Sequence, residues 1–466
     1  MAEASWLTIV GLGEDGPEGL SPASREALDT AEIVMGPARH LGLLGAGTAE
    51  RVEWPVPYAD GIPLLMGYRG RRVAVLASGD PFWFGAGTTL TRLLRPGEWR
   101  VLPGVSCFAL AVSRLGWALE DTDCLGLHAA PLTRLRPRLA PGARLVVTLR
   151  DGAAVAALAG YLDGAGFGAS RLWVMEALGG PRERITESRA DALVEALSET
   201  GTETGTGPAT EAGTGTETET ETETETETET ETETETETET GPTTTTRPTP
   251  ATTPAASTGT TPFGHPVVAA IEVAGDGALP CVPGRDDATF DHDGQITKAP
   301  VRALTLAALA PRPGEMLWDI GGGSGSVAIE WLLAHPRNRA ISIEADAGRA
   351  ERLRANADRL GVDRLTCVTG TAPEALDAPD LAGTAPDAVF VGGGLSPALL
   401  DRLVALGPGT RIVANAVTLE SEALLTRVRQ AHGGTLMRID IARARPLGTR
   451  TGWAAAYPIV QWSVVL

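Results

Sequence analysis

The sequence predicts two α/β units joined by a tract that cannot build a core, and three observations carry that expectation. Short apolar runs alternate with helix-period segments through residues 1–199, and the same alternation recurs through 263–466. Between them, 200–262 is almost wholly Thr, Glu, Gly and Pro, with unbroken Thr-Glu alternation from Thr216 to Thr240. The length of 466 residues is roughly three times a domain prior of ~150, which leaves room for two or three cores.

In the first unit the runs Leu7–Val10, Val73–Ala77, Arg100–Leu102, Leu145–Thr148 and Leu172–Met175 read as buried strands. Helices are expected at Ser21–Ala31, where Ser21 is a good N-cap and Pro22 a good first-turn residue, and at Asp151–Leu162. The tract 200–262 has a period of two but no apolar face, and its carboxylates repel, so a disordered, extended tether is expected there. The second unit should have strands near Met316–Asp319, Ala340–Glu344, Leu365–Val368, Ala388–Val391 and Arg411–Ala414. Helices near Ser326–Leu333, Ala347–Leu360, Pro397–Leu406 and Leu419–His432 should separate them. The last stretches, Leu436–Ala442 and Gly452–Val465, have no helical period between their apolar runs and predict an antiparallel ending.

Composition narrows the function classes. Of the formal charge of −20, the tether holds −13, so the two units together carry only −7 and offer no domain-scale basic surface for nucleic acid. Cys107, Cys124, Cys281 and Cys367 are far apart, with neither zinc-ligand nor disulfide-framework spacing, which suits a reducing cytosol. No eighteen-residue apolar run and no basic-then-apolar start is present, so membrane spanning and export have no support and a cytoplasmic, soluble protein is expected. Asp291-His292-Asp293 has ligand-type side chains, but three adjacent residues of an extended chain cannot converge on one ion, and no metal is expected.

Two glycine-rich strand ends carry the chemistry. In the second unit, Met316–Ile320 runs into Gly321-Gly322-Gly323-Ser324-Gly325 and then a helix. Absent Cβ atoms let that turn bend sharply and let a ligand lie against main chain at the carboxyl end of the strand. Asp319 stands at the strand end, and Glu344 closes the next strand about twenty residues on, placed for a ribose diol; a nucleoside ligand follows. A dinucleotide fingerprint fails here, because its sixth position is Ser326. In the first unit, Gly11, Gly13 and Gly16 form a formal Gly-x-Gly-x-x-Gly, but Pro17 follows and the helix starts only near Ser21, so no helix opens onto a phosphate.

The Asp-x-Gly-x-Gly-x-Gly order from Asp319 resembles the class I S-adenosylmethionine-dependent methyltransferases. With Gly294-Gln-Ile-Thr-Lys-Ala-Pro-Val-Arg302 upstream, the region from about Pro283 to Trp462 resembles the decarboxylating methyltransferases of corrin-ring biosynthesis. That resemblance implies a Rossmann-like fold with S-adenosylmethionine lined by Thr297, Asp319, Gly321 to Gly325, Glu344 and Ala372, and a substrate bordered by Gly392-Gly393-Gly394.

In the first unit Val10-Gly-Leu-Gly13, Gly79-Asp80-Pro81 and Pro103-Gly-Val-Ser-Cys107 occur in order and resemble the tetrapyrrole methylase (class III methyltransferase) family over about Trp6 to Leu197. This implies two α/β lobes with S-adenosylmethionine between them, near Gly11, Gly13, Gly79, Asp80, Pro81 and Ser106; Cys107 stands where the family has serine. A class III methylase followed by a decarboxylating class I methylase resembles a bifunctional family of aerobic cobalamin synthesis. By that resemblance, 1–199 would methylate C5 of a polycarboxylate tetrapyrrole, and 263–466 would methylate C15 with decarboxylation of the C12 acetate. Self-association through the C-terminal half is also implied.

Such a substrate calls for arginines, and two clusters are candidates: Arg134, Arg136 and Arg138, and Arg443, Arg445 and Arg450, near Arg438. No catalytic triad is required, since a reduced tetrapyrrole carbon is itself nucleophilic; His128 is a candidate proton shuttle. The rival classes are a nicotinamide-dependent oxidoreductase, opposed by Ser326 and Pro17, and a cofactor-binding scaffold with one inactive half.

Overall fold

The computed structural model describes residues 5–202 and 262–466. A first lobe is a parallel sheet of β1 (Leu7–Leu12), β2 (Ile33–Gly36), β3 (Glu50–Glu53), β4 (Val73–Ser78) and β5 (Trp99–Leu102), in the order β3-β2-β4-β1-β5. β1 and β4 are apolar on both faces because each face is covered, one by the Leu7, Ile9 and Val75 cluster and the other by Val10, Leu12 and Leu76. The first helix runs Pro22–Thr30, with Ser21 Oγ accepting the Ser24 N–H at 3.1 Å and Pro22 in its first turn.

A second lobe is a mixed sheet of β6 (Thr122–Gly126), β7 (Arg144–Leu149), β8 (Arg171–Glu176), β9 (Arg184–Arg189) and β10 (Val267–Glu272), in the order β6-β7-β10-β8-β9. β10 corrects the expected domain boundary at 263. It lies in the middle of this sheet, antiparallel to β7 and β8, with Val267 opposite both Leu149 and Glu176. Val267, Ala269 and Ile271 pack into the lobe's core beside Val147, Leu158 and Val174. The helix Ala190–Thr202 likewise crosses the expected boundary at 199. Apart from its two ends, the tract 200–262 lies outside the described residues, so the expected tether does too.

The C-terminal unit holds β11 (Met316–Ile320), β12 (Arg339–Glu344), β13 (Thr366–Thr369), β14 (Ala388–Val391), β15 (Arg411–Ala416), β16 (Thr435–Ile439), β17 (Ala442–Leu447), β18 (Arg450–Ala455) and β19 (Ile459–Val465). Seven of these form one sheet in the order β13-β12-β11-β14-β15-β19-β16, parallel except for β16 and β19, as the antiparallel ending predicts. Strand order reverses between β11 and β14, so the carboxyl end of β11 is a topological switch point. β17 and β18 form a separate hairpin. Ile439 and Ala416 both face the start of β19, so that hairpin leaves the sheet at the carboxyl edge of its parallel strands.

The two units touch. Arg134, in the 3-10 turn Leu132–Arg138, makes a two-point pair with Asp363 at 2.9 and 2.8 Å. Gly361, at φ +73°, lies so close that a Cβ would sit 2.3 Å from the Thr133 carbonyl.

Candidate ligand-binding clefts

In the first unit the carboxyl ends of three parallel strands are bonded into one floor. Gly79 N–H donates to Leu12 O at 3.0 Å, and Gly104 N–H donates to Gly79 O at 2.9 Å. Gly11 makes this junction possible, since a Cβ there would lie 1.9 Å from Gly79 O and 2.3 Å from Gly104 N. Gly11 is thus a packing glycine beneath the floor. Gly13, Gly79, Asp80 and Ser106 line the cleft above it, about 530 Å³ in volume. Asp80 Oδ1 accepts the Phe82 N–H at 2.8 Å, which shapes the loop, and Pro81 backs that loop beneath Gly85 and Gly87. Ser106 Oγ caps the helix Cys107–Leu115, and burial pushes the Cys107 thiol up to about 11, which keeps it protonated.

The opposite wall is second-lobe structure, including Thr148, Leu149, Met175 and, from the chain beyond the undescribed tract, His265, Pro266, Val267 and Val268. His128 is exposed at the rim, with Nδ1 3.2 Å from Thr148 Oγ1. A polar cluster that local spacing does not reveal also lines this cleft. Arg39 donates to Glu14, to His40 Nε2 at 2.7 Å and to Ser78 Oγ at 3.1 Å. Arg182, from the second lobe, reaches the other Glu14 oxygen at 3.1 Å.

Arg134, Arg136 and Arg138 are absent from this cleft, which corrects their expected substrate role. Arg134 is engaged with Asp363, Arg136 donates to Gly277 O at 2.6 Å beside the Phe167 ring, and Arg138 pairs with Asp123. Their charges hold the second lobe together and dock it on the C-terminal unit.

At the second cradle, Gly321, Gly323 and Gly325 have φ of +75°, +56° and +77°, a backbone region that disfavours Cβ. A Cβ on Gly321 would meet Gly393 N at 2.5 Å, so the Gly392–Gly394 turn abuts the loop. Glu344 is buried, accepting the Gly323 N–H at 2.7 Å through one oxygen and the Asp346 N–H at 3.0 Å through the other. A carboxylate has about four acceptor positions, so two remain for a diol. Gly370 N–H donates to Glu344 O at 2.9 Å, which brings the turn bearing Ala372 alongside.

Asp319 is 1% exposed, under the loop and not lining it. It accepts Ser342 Oγ at 3.2 Å, and burial pushes its carboxyl up to about 7. Ser324 is also buried, its hydroxyl without a hydrogen-bond partner among the described residues.

The segment carrying Thr297 is pinned by a buried ion pair that the sequence reading missed. Arg302 Nε donates to Glu330 at 2.9 Å, both side chains being fully buried, and Arg302 Nη1 donates to Thr297 O. Glu330 in turn accepts the N–H groups of Gly284 at 2.7 Å and Arg285 at 3.0 Å. Both ends of 284–297 are thereby fixed, and Gln295 O lies 3.3 Å from where a Gly323 Cβ would be. The neighbouring acids are committed elsewhere: Asp293 pairs with Arg349 at 2.7 Å and is held down to about 2, and Asp291 faces Arg352 at 3.7 Å. Arg443, Arg445 and Arg450 lie exposed on the β17–β18 hairpin, with no ion-pair partner among the described residues.

Comparison with known proteins agrees with this two-part architecture. Residues 6–194 match the model of the tetrapyrrole (corrin/porphyrin) methylases, and 288–466 match that of a precorrin methyltransferase domain. β10 falls in neither match. A precorrin-6Y C(5,15)-methyltransferase [decarboxylating] from Sinorhizobium sp. is 44% identical over 98% of this chain and 96% of its own length. One from Mycobacterium tuberculosis is 37% identical over 98% and 99%. The crystal structure of the C-terminal domain of the Rhodobacter capsulatus precorrin-6Y C5,15-methyltransferase is 60% identical over 40% of this chain and all of that one, with a TM-score of 0.38. With a full-length relative at 44% identity, the chain belongs to the precorrin-6Y C(5,15)-methyltransferase (decarboxylating) family.

Proposed function

We propose that this chain methylates a corrin precursor at C5 and C15 with loss of the C12 acetate carboxyl as carbon dioxide, converting precorrin-6B to precorrin-8X in the cytoplasm. The observation that carries this is the presence of two glycine-rich cradles on one chain, each at the carboxyl ends of parallel strands, in a protein that matches C(5,15)-methyltransferase relatives end to end. S-adenosylmethionine, bound in each, supplies an electrophilic methyl group.

Both cradles fit that cofactor, because each has bare main chain where a Cβ would block a nucleoside. In the first, Gly13, Gly79, Asp80 and Ser106 would hold it over the floor that Gly11 permits, with Pro81 fixing the loop. In the second, Gly321, Gly322, Gly323, Ser324 and Gly325 would carry it, Glu344 would accept the ribose hydroxyls, and Thr297 and Ala372 would flank it above the support of Asp319. The chain's work is alignment and water exclusion, which can supply several kcal/mol to a displacement with no dedicated base. Arg443, Arg445 and Arg450 lie on the hairpin that leaves the seven-stranded sheet at its carboxyl edge and suit peripheral carboxylates of the tetrapyrrole.

Self-association belongs to the same proposal. The hairpin region exposes Trp453 at 79% and Tyr457 at 86%, which light scattering of the wild type and Trp453→Ser would examine. Among the described residues no helix is long and apolar enough to cross a membrane. The decisive test is mass spectrometry of the product from precorrin-6B and S-adenosylmethionine: two methyl groups gained and one carbon dioxide lost is the expected result. Hydride transfer with NAD(P) would sink it, and one methyl per product would favour a single working half.

A further inference from the structure

Arg39 lines the N-terminal cleft with its guanidinium fixed by three neighbours. Nη1 donates to Glu14, and the two Nη2 hydrogens serve His40 Nε2 and Ser78 Oγ. A guanidinium has five N–H donors, so Nε–H and one Nη1–H are left for a ligand. Charge points the same way. Glu14, only 7% exposed in its side chain, is shared by Arg39 and Arg182, so two cations meet one anion and the cluster keeps a net positive charge. Arg150, also in the lining, is committed to Asp151 at 2.9 Å.

His40 makes this orientation definite. Arginine can only donate, so His40 Nε2 must accept, and the ring is the neutral tautomer with its hydrogen on Nδ1. Burial, then the Arg39 charge, hold the His40 pKa at about 3, so the acceptor persists at neutral pH. At 2% exposure the imidazole cannot swing away, and Ser78 Oγ, 3.1 Å from Nε2, ties it to the strand end preceding Gly79.

We propose that Arg39 binds a carboxylate of the ligand held in the N-terminal cleft and that His40 is its positioning residue. The proposal rests on the methyl-transfer reading above, which offers two sources of that group: the methionyl carboxylate of the cofactor and a peripheral carboxylate of the tetrapyrrole. With both Nη2 hydrogens committed to His40 and Ser78, the remaining Nε–H and Nη1–H lie on different edges of the guanidinium, and each can donate a single bond to a carboxylate oxygen from either source.

The test uses the full chain with the second cradle blocked by Gly323→Val. S-adenosylhomocysteine and 5′-methylthioadenosine, which lacks the amino-acid portion, are titrated, and the corrinoid KM and kcat are read from C5 methylation. Arg39→Lys and His40→Phe should each cause a loss of roughly tenfold in one carboxylate-dependent quantity. A loss for S-adenosylhomocysteine with 5′-methylthioadenosine unchanged assigns the cofactor carboxylate. A rise in corrinoid KM alone, with kcat within about twofold, assigns the tetrapyrrole carboxylate. His40→Gln, whose amide oxygen can accept in place of Nε2, should recover most of the loss; if it is as weak as His40→Phe, the positioning role is wrong. Equal losses for both nucleosides, or no change in Arg39→Lys, would overturn the carboxylate assignment. A parent protein that binds neither nucleoside would overturn the methyl-transfer reading as well.

Discussion

The two cradles use glycine for different physical reasons. In the first unit Gly11 has an ordinary strand conformation and is needed because backbone approaches backbone: a Cβ would overlap Gly79 O at 1.9 Å. In the second, Gly323 has one close neighbour at its Cβ position, Gln295 O at 3.3 Å, and is needed because φ is +56°; the space beyond is where the proposed cofactor would lie. One glycine answers to backbone packing and the other to backbone conformation. Their ionisable partners differ too: Arg39 and Glu14 line the first cleft, with Arg182 paired to Glu14, while two carboxyls, Asp319 and Glu344, lie beside the second cradle.

Cutting the chain at the expected boundary gives the largest contrast. A fragment of 1–199 lacks the middle strand of its second sheet and the cleft wall at 265–268, so it should fail to fold, whereas 281–466 should fold alone. Circular dichroism melts of the two fragments check this, and a cooperative transition in 1–199 would contradict the role of β10. Next, Gly11→Val should destabilise the first unit by about 3 kcal/mol through overpacking. Gly323→Val should abolish S-adenosylhomocysteine binding at the second cradle, with little change at the first. Calorimetry counting two ligands on wild type and one on Gly323→Val would sharpen the distinction; equal loss of stability in both variants would erase it.

Glu344→Ala should weaken cofactor binding at the second cradle only, by about 1.5–3 kcal/mol, roughly tenfold or more, with unchanged affinity removing the ribose assignment. pH supplies a further contrast between the two units. His40, held at about 3, contributes stability that is complete above its unfolded pKa near 6.5 and is lost as pH falls toward 3. Asp319, pushed up to about 7, acts in the opposite sense: its folded form retains a proton that the unfolded form releases near 4, so stability falls as pH rises from about 4 to 7. Asp319→Asn should flatten the C-terminal melt over that window, and His40→Gln should flatten the N-terminal one between about 3 and 6.5.

Local apolar runs made much of the framework legible. Ala388–Val391 and Leu419–His432 appear in the structure with the expected bounds, and Ser21 caps the helix it announces. The strands that escaped are short or half-exposed: Ile33–Gly36 is cut off by Pro37, and Glu50–Glu53 and Arg184–Arg189 show water most of their side chains. Val267–Glu272 is an apolar run, but only hydrogen bonding to β7 and β8 reveals that it belongs to a lobe begun more than a hundred residues earlier. The glycine loops were legible because their chemistry is contiguous. The Glu14, Arg39, Ser78 and Arg182 cluster was not, since four distant segments assemble it and no spacing rule encodes that convergence.

Placing a late strand at the heart of an early lobe sets a schedule for synthesis. Until the ribosome has released residues beyond 272, β7 and β8 stand with a gap between them and two unsatisfied edges, a template for pairing with the wrong partner. The nascent first half must wait, shielded or at risk, for its own missing piece to arrive.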